Sequence, residues 1–277
     1  MAHCYSEAAE EILDKEIKVH NLGFVRLVDY MGNDSRIVQS ARVSYGKGTK
    51  TVREDKGLIN YLLKNDHTSP FEQVEFTFHI KAPIFVLRQW LRHRMASVNE
   101  ISGRYSMLQS EFYLPHPVDI KFQSTDNKQG RSDSKVPEYL KERVIESLCD
   151  DQTMIYENYE HLLKFNISKE LSRINLPLST YSELYWKIDL HNLLHFLKLR
   201  MDKHAQKEIR DYANVLANIV KLAAPITFEA FEEHILNGVR FSRTEVLAIK
   251  ELLKCRMPDL DGKALEEFLK KLESVGK

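Results

Sequence analysis

The chain has 277 residues, 43% hydrophobic and 29% charged, enough to bury a substantial core in one large domain or two small ones and too apolar for a disordered chain. Its 40 basic and 40 acidic residues cancel, so no global positive field draws it to nucleic acid or to anionic lipid, and any anion site must be local. Cys4, Cys149 and Cys255 are too few and too widely spaced for a disulfide framework, a zinc knuckle or a redox pair, which fits a reduced, cytoplasmic setting with Cys149 and Cys255 as buried packing residues and Cys4 as a surface thiol.

From the N-terminus, Ala8, Ala9, Ile12, Leu13, Ile17 and Val19 are interrupted by Glu7, Glu10, Glu11, Asp14, Lys15 and Glu16, which a signal-peptide hydrophobic region would not tolerate. No apolar run is long enough to span a bilayer. Residues 23 to 31 read as a strand, and 35 to 43 as a helix capped by Asn33 or Asp34. A second helix, from about 51 to 64, places Leu58, Ile59, Leu62 and Leu63 on one stripe. His67, Thr68, Ser69 and Pro70 form a polar break before a strand over 73 to 80, in which Val74, Phe76 and Phe78 alternate with Glu75, Thr77 and His79. Pro83 suits the first turn of a helix that runs to about Leu91.

Residues 123 to 135 (QSTDNKQGRSDSK) read as a mobile polar surface loop, and 137 to 164 as a long amphipathic helix using Leu140, Val144, Ile145, Leu148, Met154, Ile155, Tyr159 and Leu162. A short helix ends near Arg173. Residues 180 to 188 read as a strand, Asp189 as the cap of a helix from 190 to 200, and 204 to 222 as a further helix ended by Pro225. The stretch from 228 to 273 reads as helical hairpin material with a charged tail. Phe76, Phe78, Phe85, Tyr181, Tyr185 and Trp186 are expected in the core, whereas Trp90 adjoins polar candidates. The mixed order of strands and helices, with no βαβ nucleotide fingerprint, predicts an α+β fold rather than a Rossmann domain.

The chemistry concentrates in residues 81 to 104, where Lys81, Arg88, Arg92, Arg94 and Arg104 face a single carboxylate, Glu100. Guanidinium groups grip phosphate bidentately and stay charged, and Ser102 with Gly103 offers a hydroxyl and an approachable backbone. On a continued helix Arg92 and Arg94 would point nearly 200° apart, by the step of about 100° per residue, one toward a ligand and the other toward the fold or a second ligand. The same residues also read as a solvated basic face. A nucleic-acid module built on this patch lacks a long basic surface. His191 and His195 are spaced for a metal, but Asn192 stands where H-E-x-x-H needs its glutamate.

The spacing R-H-R-x-x-S-x-N-x-x-S-x-R is matched at Arg92, His93, Arg94, Ser97, Asn99, Ser102 and Arg104, all seven fixed positions of thirteen. In this the chain resembles the flavin-dependent thymidylate synthases. The likeness continues through HTSPFEQVEFTFHIKAPIFVLRQW before the signature, SMLQSEFYLP after it, and LPLSTYSELYWKIDLHNLLHFLKLRMDKHAQKEIRDYA downstream. It covers roughly residues 22 to 235 as a family core, with a helical extension at about 236 to 277, the whole chain being taken as one domain.

The resemblance implies an antiparallel sheet flanked by long helices and a homotetramer with sites between subunits. It implies methylation of dUMP to dTMP with methylenetetrahydrofolate as carbon donor, FAD as redox cofactor and NADPH as reductant, and no metal. Arg92, His93, Arg94 and Glu100 are then expected at FAD, with Ser69 supplied by a neighbouring subunit. Gln89, Ser102, Gly103, Arg104 and Arg173 are expected at dUMP together with Arg92 and Glu100, and Arg200 as the group that activates the uracil ring. Asp189, His191 and His195 fall at family FAD positions but depart from its usual Asn-x-Arg and Asn; Asp189 there is expected to contact FAD through its backbone or to cap its helix. His67 and His204 resemble family histidines.

Overall fold

The computed structural model describes residues 4–43, 52–125 and 130–253, with scattered positions between 262 and 269. The chain divides into two compact units, Met1–Phe231 and Glu232–Lys277. In the first, strands β1 (Glu16–Val19), β2 (Gly23–Met31), β3 (Glu75–Pro83), β4 (Ser97–Glu100) and β5 (Tyr181–Asp189) form one sheet in the order β1-β2-β3-β5-β4, with every pairing antiparallel. The expected α+β class and antiparallel sheet are found. The helices of this unit are α1 (Glu7–Glu10), α2 (Asp34–Arg42), α3 (Val52–Lys64), α4 (Ile84–Trp90), α5 (Glu138–Lys164), α6 (Lys169–Ser172), α7 (Leu190–Arg200), α8 (Lys207–Ala223) and α9 (Pro225–Phe231).

One face of the sheet is core and the other is polar, as a sheet covered on one side requires. Phe76, Phe78, Ile80, Leu184, Trp186 and Ile188 are buried, and Phe78 pairs with Trp186 and Phe76 with Ile188 across β3 and β5. Helix α8 carries Ile209, Tyr212, Ala213, Leu216, Ile219 and Val220, all buried, and packs against β1, β2, α4 and α7. The opposite face holds a polar relay in which Arg26 Nη2 lies 2.9 Å from His79 Nδ1 and His79 Nε2 lies 2.9 Å from Glu183. Tyr185 stacks on His79 with ring centroids 4.9 Å apart. Tyr185 is therefore 42% exposed rather than core, because Leu184, Trp186 and Ile188 take the inward positions and strand alternation leaves the residues between them outward. Phe85 is half-buried, as are Cys4 and Cys149, while Cys255 lies outside the described residues.

Two strands escape the sequence reading. β1 alternates Glu16 and Lys18 outward with Ile17 and Val19 inward but is only four residues long, and β4 has four residues that are all exposed and carries no alternation. Several caps are as expected: the Asn33 side chain accepts from Ser35 N–H at 3.0 Å, and Asp189 caps α7. Pro225 both follows the end of α8 and opens α9, whose first amides at Ile226 and Thr227 are each bonded by the buried carboxylate of Asp34 at 2.9 Å. Asp34 thus joins α2 to α9, and burial holds its carboxyl above the usual range against the pull of those bonds. Residues 126–129 of the expected loop lie outside the described residues.

Gly23 lies where Tyr212 of α8 meets the sheet. A Cβ there would stand 2.0 Å from Tyr212 Oη and 2.8 Å from the carbonyls of Lys81 and Val19, and the Tyr212 hydroxyl is itself held by Lys81 O at 2.7 Å. Gly23→Ala is expected to destabilise the protein by about 3 kcal/mol, read as a lower urea midpoint, because two of the three obstacles are backbone. An unchanged midpoint would show that α8 can withdraw freely.

The second unit begins with a π-helical turn, Glu232–Leu236, and contains α10 (Arg243–Leu253). Ser242 and Glu245 form a capping box, with Ser242 N–H donating to the Glu245 carboxylate at 2.7 Å and Glu245 N–H to Ser242 Oγ at 3.3 Å.

Candidate active site

The arginine-rich segment is not one continued helix. α4 closes at Leu91, and Arg92 and His93 turn off through bonds to the carbonyls of Gln89 (3.4 Å) and Trp90 (3.0 Å). Trp90 is fully buried between Trp186, Phe196 and Tyr212, which pins the exit of the helix. The chain then becomes the edge strand β4, paired with β5 from Ser97 opposite Lys187 to Glu100 opposite Leu184. This break corrects the expectation that Arg92 and Arg94 diverge: both line one cleft of about 640 Å³.

The other wall of that cleft is α7. Leu190, Leu193, Leu194, Phe196 and Leu197 bury one side of this helix. His191, His195 and Leu199, spaced four apart on another side, face the cleft with Asn192 and Arg200. Arg200, at the end of α7, donates from Nε to His93 Nε2 at 3.0 Å and from Nη2 to the carbonyl of Gln89 at 3.1 Å. These two bonds fix the plane of the guanidinium beside Arg92. Burial, reinforced by the charge of Arg92, lowers the Arg200 pKa from its ordinary value, so its charge lies in a site where an anionic partner is favoured.

His93 is driven the same way. Burial, then the neighbouring Arg200 charge and His195, push its pKa down to about 4. It is neutral near pH 7 and accepts from Arg200 at Nε2, which leaves the proton on Nδ1. Since an unfolded histidine titrates near 6.5, the unfolded chain binds more protons than the native one between about pH 6.5 and 4. His93 is therefore expected to contribute stability above about pH 6.5 that is lost as pH falls toward 4. His93→Gln should flatten this part of the profile of unfolding midpoint against pH; an unaltered profile would remove His93 as its source.

A second cluster holds the glycine and serine of the signature. Ser102 O accepts from the amides of Tyr105 (3.0 Å) and Ser106 (3.1 Å), and Ser102 Oγ accepts from Arg104 N–H at 3.3 Å. Gly103 is buried inside this turn, where a Cβ would stand 3.1 Å from Cδ of Arg173. Arg104 pairs with Glu170 of α6 at 3.2 Å, both side chains being more than half exposed. Ser102, Gly103, Arg104 and Arg173, expected together from the sequence, are thus adjacent.

The remaining candidates fall outside these clusters. Glu100 accepts from Ser182 Oγ at 2.6 Å, an interaction with no signal in the sequence. Both oxygens of Asp189 accept from Asn192, from its amide N–H at 2.9 Å and its side chain at 2.7 Å, so its helix-capping role is realised. Ser69 is exposed just before the 3₁₀ turn Phe71–Gln73, which packs against α7, and it does not line the cleft. His67 is exposed and meets Tyr61 edge-on, and His204 pairs with Asp202 at 2.8 Å. Met95, Asn192 and Leu199 line the cleft without having been singled out, as does Ile188. Gln206, whose side chain bonds that of Gln89, had only its nearness to His204 to mark it.

Comparison with known proteins places this geometry in a family. Residues 26–226 match the family described as Thymidylate synthase complementing protein, and 239–275 match the Thymidylate synthase ThyX C-terminal domain. A flavin-dependent thymidylate synthase of Treponema denticola is 63% identical over 262 residues, covering 95% of this chain and 98% of the relative. That of Wolbachia pipientis is 52% identical, covering 88% and 86%. The crystal structure of a UMP/dUMP methylase, PolB from Streptomyces cacaoi bound with 5-Br dUMP, aligns at a TM-score of 0.73 and 31% identity, over 80% of this chain and 100% of that one. With both family matches in chain order and relatives aligned along nearly their full length, the chain belongs to the flavin-dependent thymidylate synthases.

Proposed function

We propose that the protein methylates dUMP to dTMP: the C5 hydrogen of uracil is replaced by a methyl group as methylenetetrahydrofolate gives up its one-carbon unit and NADPH is oxidised, with FAD as the bound cofactor. The observation that carries this reading is the junction of Arg200, His93 and the Gln89 carbonyl at the wall of a cleft that also holds Arg92 and Arg94.

The donor set fits a flavin dinucleotide. Arg92 and Arg94 supply fixed charge for a diphosphate, neutral His93 supplies a hydrogen-bonding ring, and His191 and His195 line the same cleft. Asp189 would repel a phosphate if its carboxylate faced the cleft, but both its oxygens are turned onto Asn192, which leaves its backbone for the cofactor. Glu100 and, from a neighbouring subunit, Ser69 complete this set. When bound, the flavin supplies the redox chemistry, carrying electrons from the nicotinamide toward the one-carbon unit.

The substrate would lie across the second cluster. Arg104 and Arg173 hold its phosphate with Ser102 and the Gly103 backbone, while Gln89, Arg92 and Glu100 orient sugar and base. Arg200 then faces the uracil. For C5 to become nucleophilic the ring must carry negative charge toward its oxygens and N3, and a guanidinium fixed by two bonds in a half-buried site stabilises that charge as it forms. His93 cannot compete for a proton there, being neutral and already an acceptor.

Assembly from a second copy of this chain is supported by what the protomer leaves bare. α5 has 27 residues, about 40 Å of helix, yet only Gln152 and Tyr159 on it are buried. Val98 in β4, Ile101 and Tyr105 after it, and Phe165, Leu171, Ile174 and Leu178 between α5 and β5 are exposed apolar residues, and β4 is an edge strand. We assign this surface to a homotetramer with sites between subunits, in a reducing cytoplasmic setting that suits the unpaired Cys4 and Cys149. The purified protein should be yellow, its flavin band should bleach on NADPH addition, and light scattering should give four times the chain mass. A protein that takes up no flavin under any reconstitution condition would overturn the proposal.

A further inference from the structure

We infer that Gln206 is a positioning residue for nucleotide recognition: by accepting the amide hydrogen of Gln89 it turns the Gln89 carbonyl oxygen to the substrate, so that this position selects a hydrogen-bond donor. The inference rests on the reading of dUMP as substrate given above.

Gln89 is held at both ends by one short link. Its backbone carbonyl takes Nη2 of Arg200, the last residue of α7, and its side-chain Nε2 donates to Oε1 of Gln206, immediately before α8. The link itself is stiffened. Asp202 Oδ1 accepts from His204 N–H at 2.7 Å, Asp202 O from Ala205 N–H at 2.9 Å, and Lys203 O from Arg210 Nη1 at 2.9 Å. Gln206 occupies the cap position of a 17-residue helix, where Ser, Thr, Asp or Asn would bond the first-turn amides. Its side chain makes no such bond and reaches instead to a residue 117 positions away. Local helix chemistry does not account for a glutamine here, whereas orientation of Gln89 does.

An unconstrained glutamine amide can present either its NH2 or its oxygen by a half-turn. With one Nε2 hydrogen held by Gln206 the half-turn is blocked, so the oxygen keeps a fixed place as the only acceptor the Gln89 side chain offers a ligand, beside its second N–H. dUMP at neutral pH offers two donors, the imide N3–H and the 3′-hydroxyl; its other polar atoms are acceptors. An oriented Gln89 would therefore meet one of these two groups and disfavour an analogue lacking it.

The test is calorimetric binding of dUMP, N3-methyl-dUMP and 2′,3′-dideoxyuridine 5′-phosphate to the flavin-loaded full chain and its variants. We expect wild type to bind one of the two analogues about tenfold more weakly than dUMP, the analogue identifying which donor is read. Gln206→Leu, which frees the amide, should shrink that ratio to about twofold or less. Gln206→Glu keeps the acceptor and should keep the ratio, even if its charge weakens all three ligands. Gln206→Lys, exposed like the wild-type residue and donor-only, should lose the ratio as Leu does and serves if the leucine variant does not fold. A ratio that survives in Leu or Lys, or is lost in Glu, or is absent from wild type, overturns the inference. Failure of wild type to bind dUMP at all would instead sink the substrate assignment.

Discussion

Replacement of Arg200 by alanine is expected to lower turnover by about 10²- to 10³-fold while the protein keeps its flavin band. The magnitude follows from removing a preorganised donor aimed at developing charge. The retention of flavin follows from the cleft, where Arg92, Arg94, His191 and His195 remain. The guanidinium is fixed by His93 Nε2 at 3.0 Å and by Gln89 O at 3.1 Å, so lysine, a point charge without the fork, should not restore the rate. A second readout separates chemistry from simple loosening. The Arg200 charge is one cause of the depressed His93 pKa, after burial, so Arg200→Ala should raise the titration midpoint of His93 as followed by NMR. Turnover within tenfold of wild type would show that another group activates the pyrimidine.

Much of the fold is legible where a pattern reports burial on one side. β3 alternates, Asn33 and Asp189 sit where caps belong, and α5 agrees with its expected span to one residue at its start. Legibility fails where structure comes from a partner strand. β4 is exposed at all four positions and is a strand only because it pairs with β5. That failure matters for the site, since a helix continued through Arg94 separates Arg92 from Arg94, whereas the break before Met95 puts both on one cleft. Tyr185 shows the reverse: strand parity with Leu184 and Trp186 already assigns it outward, although aromatic identity favours the core. The residue types of the site were legible through the spaced arginines, but three contacts were not. His93 against Arg200, Gln89 against Gln206 and Glu100 against Ser182 join positions 107, 117 and 82 residues apart, which no local pattern encodes.

Loss of either phosphate arginine should weaken dUMP binding by roughly 10- to 100-fold, the value of one or two charge-assisted hydrogen bonds. Arg104 is available for this role because its partner is weak. The ion pair with Glu170 at 3.2 Å is more than half exposed on both sides, where such pairs contribute about 0–1 kcal/mol, so a phosphate dianion displaces the carboxylate at little cost. Arg173 lies against Gly103, where even a Cβ would stand 3.1 Å from its Cδ. With both arginines proposed to act on one phosphate, the loss in Arg104→Ala with Arg173→Ala combined should be smaller than the product of the single losses. Deoxyuridine supplies the decisive control, since it carries the same base and sugar without the phosphate. Calorimetry should find deoxyuridine affinity within about twofold of wild type in both single variants and a shallower salt dependence for dUMP. Equal losses for nucleoside and nucleotide would mean that Arg104 and Arg173 shape the pocket rather than hold the phosphate.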